Sequence, residues 1–496
     1  MKFIASFDIG TTNVKGILVN RDGGFSFEHN VPLALRQEPQ RIEQDPDQWF
    51  QAVITIAAEW LRGGVHPQEI GLISFSGQMQ DCIPVGSGMD ALRPAILYSD
   101  SRAGEEAAGI IEELGEDSIR QTVENRMDGT LTFPKILWLH RHERELYNQT
   151  VSFLISSKDY VIAQLTGRFV TDPTSASTTG CMDIRTRSWT QDWFRRLGLD
   201  SGKMPAIVRP DEIAGTVHAA GAQLTGFAEG TPVLCGIGDA GAATLGAGVY
   251  RPEELYAYIG TTGWIASAAA QPADSGTGIF NLAYVEPGRY INIAPLMNAG
   301  NAHQWAAELF CGEASEGGSP YEEMERLIGA ADRRSSGVIF LPYLNGERCP
   351  VQDEHASGCY VGIRPSTSRT DMAAAVLEGV ALAMKQMLGL GAREAAPGQL
   401  TLIGGGAGSR VWCQIIADIF QTEVSVPSES QFLPCLGAAL LGFREAGWGG
   451  DYQDLTGLLR TVRQCEVFSP DPDIAEHYQG KFEKFLKLYP ALRPVF

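Results

Sequence analysis

The chain has 496 residues, 44% of them hydrophobic and 20% charged, with a formal net charge of -20 at pH 7. That length suits two to four globular domains at roughly 100–200 residues each. The acidic balance argues against nucleic acid as a partner, since phosphate backbones are met by clustered Lys and Arg; a nucleotide stays open, because backbone N–H groups and a metal ion hold phosphates without a basic surface. No apolar run approaches the roughly 18 residues of a membrane helix. The N-terminus reaches Asp8 too soon for a secretory signal, so a cytoplasmic protein with no membrane partner is expected. Nine cysteines lack C-x-x-C spacing and sit in apolar runs (Cys235, Cys413, Cys435) or polar loops (Cys82, Cys349). They read as buried free thiols rather than a zinc site or a disulfide framework.

In chain order, Phe3–Asp8 and Gly16–Asn20 read as short strands joined by Gly10-Thr11-Thr12-Asn13. Trp49–Arg62 carries apolar residues at helical spacing, and Ile70–Ser74 has a buried-strand pattern. The charged run His140–Glu145 reads as a solvated helix face. Pro232–Cys235 is strand-like and leads into the glycine-rich Gly236–Gly241. Leu255–Ile259, Val338–Pro342 and Leu400–Ile403 are predicted strands, Met372–Leu388 and Val411–Phe420 predicted helices. Loops such as Gly312–Pro320 are short and Gly/Ser-rich. This mixed order implies α/β layers. Ile9-Gly10-Thr11-Thr12 recurs as Ile259-Gly260-Thr261-Thr262, each time directly after a strand. The echo suggests two related domains with a boundary between Gly241 and Glu253, taken as 1–246 and 247–496.

A Gly-Thr-Thr turn between strands exposes consecutive backbone N–H groups and adds hydroxyl donors, which suits phosphate oxygens. Gly10, Thr11, Thr12 and Asn13, with Gly260, Thr261 and Thr262, are therefore candidate ATP contacts. Asp8 beside the first turn would repel phosphate unless a cation intervenes, and so reads as a Mg²⁺ ligand; an ordinary Asp-Gly turn is the alternative. No G-x-x-x-x-G-K-[ST] loop occurs. Gly236–Gly241 matches the dinucleotide fingerprint G-x-G-x-x-G, with Glu253 and Glu254 near the distance of the ribose-binding acid. Those acids lie in a Pro-containing turn, which disfavours a dehydrogenase.

The same segment carries a wider likeness. Phe7–Thr12, Lys135-Ile136-Leu137-Trp138, Lys158-Asp159-Tyr160 with Leu165-Thr166-Gly167, Gly346-Glu347-Arg348-Cys349-Pro350, Gly358–Ile363 with Asp371–Glu378, and Gly404–Ser409 stand in the order of the signatures of the FGGY carbohydrate kinases. The chain resembles that family over nearly its whole length. The resemblance implies an α/β fold of two actin-like, ribonuclease-H-type domains flanking a deep cleft, an N-terminal sugar-binding half and a C-terminal nucleotide-binding half. It implies ATP and Mg²⁺, a sugar or polyol hydroxyl as phosphate acceptor, and Asp239 as catalytic base and second metal ligand beside Asp8. A homodimer is compatible with it.

An Asp at that position is ionised at neutral pH and has small neighbours, so substrate can approach; it is also a natural N-cap for a helix from Ala240. Gly404–Ser409 offers a flat surface to a purine, making Gly405, Gly406, Ala407, Ser409 and Gln414 candidate nucleotide contacts, or it is a tight turn with Ser409 as cap. Glu347 and Arg348 orient domain closure or form a loop salt bridge, the structural role being favoured. Met372–Leu388 reads as a buried helix behind the nucleotide. Sugar contacts are assigned to Gln78, Met79, Gln80, Asp100 and Ala240. Ser76-Gly77-Gln78-Met79, with Asp100 and Arg102, resembles the xylulokinase branch, so D-xylulose is the expected acceptor. Gln80 stands where that branch has His, and Ala240 where it has Asn, which keeps another ketose, a polyol or a sugar acid in play. A non-catalytic actin-like nucleotide sensor is the remaining alternative.

Overall fold

The computed structural model describes residues 1–252, 254–312, 319–390 and 398–496; Glu253 and residues 313–318 of the expected Gly312–Pro320 loop lie outside the described residues. Two sheets of seven strands organise the chain. The first contains β1 (Phe3–Ile9), β2 (Asn13–Val19), β3 (Phe25–Pro32), β4 (Ile70–Gly77), β5 (Ile213–Thr216), β6 (Pro232–Leu234) and β7 (Ile237–Gly238). Its order is β5-β6-β4-β1-β2-β3, with β7 also on β4. The second contains β8 (Leu255–Ile259), β9 (Gly263–Ala269), β10 (Phe280–Ala283), β11 (Tyr290–Leu296), β12 (Gln399–Ile403), β13 (Glu423–Pro427) and β14 (Cys465–Phe468), ordered β10-β11-β9-β8-β12-β13-β14. Each sheet has an antiparallel meander, then two parallel strands, then an antiparallel edge. The four-residue echo therefore marks a repeated topology.

The central strands explain why the two halves share one core. All seven residues of β1 are buried, and successive side chains of a strand point to opposite faces. Phe3, Ala5, Phe7 and Ile9 enter the core of the first half, while Ile4 turns to the cluster between the sheets. In β8 the same alternation sends Leu255, Ala257 and Ile259 outward and Tyr256 to that shared cluster.

Seven helices matter for the site. They are α1 (Asp47–Arg62), α2 (Thr132–His142), α3 (Asp239–Gly246), α4 (Gly300–Cys311), α5 (Arg369–Leu388), α6 (Arg410–Phe420) and α7 (Leu433–Glu445). Helix α1 buries Trp49, Val53, Ile56 and Trp60 at the spacing read from the sequence. Helix α5 is buried from Ala373 to Met384, and its Glu378 is neutralised by Lys481 at 2.6 Å. Helices α3 and α7 fill the space between the sheets. A Cβ on Gly246 would lie 1.9 Å from the Leu433 carbonyl oxygen, and one on Gly437 1.9 Å from that of Ala242. Only glycine permits so close a crossing. Hydroxyls of Ser6 and Ser74 donate to the carbonyls of Cys435 and Ala438 at 2.5 and 2.7 Å, fastening α7 to the first sheet.

The predicted strands and helices occur with ends shifted by a few residues (β2, for example, starts at Asn13, directly after the turn), except that His140–Glu145 is not one helix face, because Glu143 (φ -131) separates the helix ending at His142 from Arg144–Gln149. The helices at Gly104–Leu114 and Glu116–Val123 went unread. The nine cysteines are free, and six of them are buried. Among the described residues, no helix is long and apolar enough to cross a membrane.

Candidate active site

The parallel strands β1, β4 and β7 end side by side, with Asp8 opposite Ser76 and Gly238 opposite Gly77. Ligands of α/β sheets collect beyond such carboxyl ends. Asp8 on β1, the Gln78–Asp81 segment after β4 and Asp239 after β7 therefore converge. Asp8 and Asp239, with Lys15, Ala240, Tyr258 and Gly404, line a cavity of ≈ 640 Å³ between the two sheets.

Asp239 is the first residue of α3; the cap position belongs to Gly238, not to Asp239 as the sequence suggested. Its carboxylate accepts from the Ala240 N–H at 2.7 Å. Burial, and then the charge of Asp8, push its pKa up to about 7. Burial also raises Asp8, against the opposing pull of Lys15 and of the Ser76 hydroxyl, which donates to it at 2.8 Å. Lys15 was missed by sequence reasoning. The hairpin register places it opposite Asp8, so counting outward from the Gly-Thr-Thr turn would have found it.

The charge of Asp8 disfavours that of Asp239 on the shared cavity wall, and both are hard oxygen donors. Mg²⁺ is commonly held by one or two carboxylates plus substrate phosphates, so this pair fits the ion that the family implies.

In the first turn, the Gly10 N–H donates to the Asn13 carbonyl at 3.0 Å. The Thr11 hydroxyl is directed to Gln78 Oε1 at 2.6 Å, and the Gln78 amide nitrogen to Gln44 at 3.3 Å. Gln44 in turn holds the Thr11 carbonyl at 2.9 Å. Gln78, assigned to the sugar, thus braces the phosphate turn, and Thr12 is the exposed hydroxyl there.

The second turn closes by Gly260 N–H to Thr262 carbonyl at 2.8 Å, and the first N–H groups of α4 donate to Gly260 and Thr261 carbonyls at 2.9 Å. Gly260, Thr261, Gly405, Gly406 and Ser409 line a second cavity of ≈ 730 Å³, which meets the first at Gly405. Gly404 is required: it has φ +91, and a Cβ on it would lie 2.4 Å from the Ile259 carbonyl oxygen, whereas one on Gly405 would meet nothing within 4 Å. Ser409 caps α6, accepting from Trp412 N–H at 3.1 Å and donating to Glu325 at 2.5 Å.

Three expected contacts are redirected by packing. Gln414 turns away from the nucleotide cavity and donates to Asp418 and to the Ser469 carbonyl at 2.8 and 2.9 Å. Ala407 packs toward the core of the second half. Asp100 is fully buried; Arg102 and the Ile42 N–H donate to its Oδ2 at 2.6 and 2.7 Å and Arg102 Nε to its Oδ1 at 2.9 Å, so both oxygens are engaged. Met79 packs on Gly238, where a Cβ would lie 2.1 Å from its sulfur. Gln80 has φ 67, and its amide nitrogen donates to the hydroxyl and carbonyl of Thr130 at 2.8 and 3.0 Å. Beside it are two buried charged groups, Lys135 of the first family signature and Asp81 of the same loop. Lys135 on α2, brought down to about 8 by burial, donates to the Gln80 and Leu97 carbonyls at 3.1 and 2.7 Å. Asp81 is fully buried with one oxygen unpartnered, and burial raises its pKa.

Glu347 forms no salt bridge with Arg348; its carboxylate, raised to about 7 by burial, accepts from the Met297 and Arg348 N–H groups at 2.7 and 2.8 Å. Glu254 pairs with Arg460 and Arg251 at 2.5 and 3.0 Å, which withdraws it from any ribose.

Two related domains closing on paired Gly-Thr-Thr turns, with a carboxylate where they meet, are the architecture of an enzyme that moves a nucleotide's phosphate to a hydroxyl. The profiles of the FGGY family of carbohydrate kinases agree: its N-terminal domain matches residues 3–246 and its C-terminal domain residues 255–446. A xylulose kinase of Escherichia coli (strain K12) is 31% identical over 98% of this chain and 99% of its own length. A gluconokinase of Bacillus subtilis (strain 168) is 28% identical over 98% of this chain and 95% of its own. The crystal structure of xylulose kinase from Rhodospirillum rubrum superposes with a TM-score of 0.89 at 28% identity, covering 100% of this chain and 99% of that one. The chain belongs to the FGGY family of carbohydrate kinases, and it is an ATP-dependent phosphotransferase with an alcohol group as acceptor.

Proposed function

We propose that the acceptor is D-xylulose, converted to D-xylulose 5-phosphate in a cytoplasmic reaction, with residues 1–246 binding the sugar and 247–496 the nucleotide. The observation that carries the chemistry is Asp239, a carboxylate raised to about 7 on the wall of the central cavity. Phosphoryl transfer is mostly positioning and charge stabilisation, with a base accepting the hydroxyl proton. Asp239 Oδ1 is held by the Ala240 N–H, so the carboxylate faces its acceptor in a fixed orientation. Asp8 and Asp239 would hold Mg²⁺, which when bound neutralises charge on the transferring phosphate. Lys15 places a positive charge beside Asp8. Thr12 and the Gly260–Thr262 turn supply donors to phosphate oxygens, and the Gly405–Gly406 surface supports the base.

Substrate choice follows from the names of the relatives and from charge. Xylulose kinases and gluconokinases both resemble this chain. In the loop assigned to the sugar, Gln80 is neutral and the next residue, Asp81, is acidic, which favours a neutral ketose over an acid. Gln80 and Ala240 alter contacts with the sugar's hydroxyls; one unpaired buried hydroxyl costs roughly 1–3 kcal/mol.

An ADP-release assay with Mg-ATP and D-xylulose, D-ribulose, glycerol and D-gluconate tests the reading. A preference for D-xylulose in kcat/KM supports it. A preference for gluconate removes the ketose assignment while leaving the kinase intact.

A further inference from the structure

The stretch from Val361 to Asp371, part of the second family signature, lines neither cavity of the cleft. It forms one wall of a separate cavity of ≈ 740 Å³, whose other walls are the Ser335–Val338 loop and the C-terminal helix Ala475–Leu492. Three exposed cations line it: Arg364 from the loop, and Lys484 and Lys487 from one face of the helix. Among the described residues none of the three has a carboxylate in an ion pair, whereas Lys481, one helical turn before Lys484, pairs with Glu378 at 2.6 Å. The single carboxylate on the wall, Asp371, already accepts the N–H and hydroxyl of Ser368 at 2.9 and 2.8 Å. The hydroxyl oxygen of Ser336, on the opposite wall, is buried without a partner.

We propose that this groove is a second anion site that binds a phosphorylated small molecule of sugar-phosphate size. Three cations facing one already engaged carboxylate leave an excess positive charge that suits a phosphate dianion, and the Arg guanidinium and Lys ammonium groups are its usual partners. Ser336 supplies an unmet hydrogen-bonding group. The volume falls within the roughly 300–1,000 Å³ of small-molecule sites, so a bare phosphate would fill little of it while the rest of a phosphorylated sugar has room. The site stands apart from the cleft and does not rest on the identity of the acceptor.

Isothermal titration of the full chain with D-ribose 5-phosphate and with inorganic phosphate tests this, with a non-hydrolysable ATP analogue occupying the cleft. One-to-one binding of the sugar phosphate, tighter than that of inorganic phosphate, is expected. The double variant Lys484→Ala/Lys487→Ala and the single variant Arg364→Ala should each weaken it, the former at least about tenfold, with kcat unchanged. All three side chains are exposed, so an unaltered melting curve will show that the variants fold. Absence of binding, or equal affinity in wild type and double variant, overturns the site. Inorganic phosphate binding as tightly as the ester overturns the assignment of ligand size. If D-xylulose 5-phosphate outcompetes D-ribose 5-phosphate, the ligand is this reaction's own product; if it does not, the phosphorylated ligand comes from another reaction.

Discussion

At Asp239 the needs of catalysis and of folding oppose each other. Burial and Asp8 hold its pKa at about 7, and a general base works only when ionised. For the enzyme without bound nucleotide or metal, kcat/KM should therefore fall roughly tenfold per unit as pH drops below about 7. Asp239→Asn should keep ATP binding, lose turnover by at least ~10²-fold and lose this acid limb. A variant with near-normal turnover would remove Asp239 as base. The stability sign follows from the same shift. A carboxyl whose folded pKa is raised contributes stability below its unfolded value of 3.8 and loses it as pH rises through about 7. Asp239→Asn should thus melt higher than wild type at pH 8, and the difference should vanish near pH 3.5. Gln78 makes a separate prediction. Because it accepts from the Thr11 hydroxyl at 2.6 Å, Gln78→Leu should raise KM for ATP about tenfold. A larger rise in KM for the sugar would return Gln78 to a direct sugar contact.

At the scale of elements, the crossing of α3 and α7 sets how the domains meet. Gly246 and Gly437 let the helices touch through backbone, and α3 carries Asp239 at its first turn. Gly437→Val should cost roughly 3 kcal/mol or more, at the upper end of overpacking effects, measured by chemical denaturation. A cost below about 1 kcal/mol would show that the crossing yields easily. The strand ends account for most of what was legible at the site. Gly-Thr-Thr after a strand is a local signal, because turn chemistry depends on a few neighbouring residues. The redirected contacts of Gln414 and Asp100 are only partly local. Asp418 and Arg102 are near in sequence, whereas Ser469 and Ile42 come from distant segments.

At the scale of the molecule, the two sheets share a core through α3 and α7 while the cavity lined by Asp8 and Asp239 lies between them. The burial of the thiols gives a check on this packing that is independent of catalysis. Cys465 is the one exposed cysteine, Cys311 and Cys359 are half-buried, and the other six are buried. In native protein a thiol reagent should modify Cys465 first and reach the buried six only on unfolding. Rapid native modification of Cys435 would contradict the packing between the sheets.

The sequence by itself determined the α/β class and the repeated domain, because strand periodicity and glycine turns are short-range properties of the chain, and the family resemblance singled out Asp239. The kinase chemistry was legible from the ordered family signatures. Only the tertiary structure decided that Gln78 braces Thr11 and that the Ile42 N–H closes off Asp100. A polar side chain's role depends on which donors and charges surround it once distant segments are buried together, and that pairing is fixed by the fold.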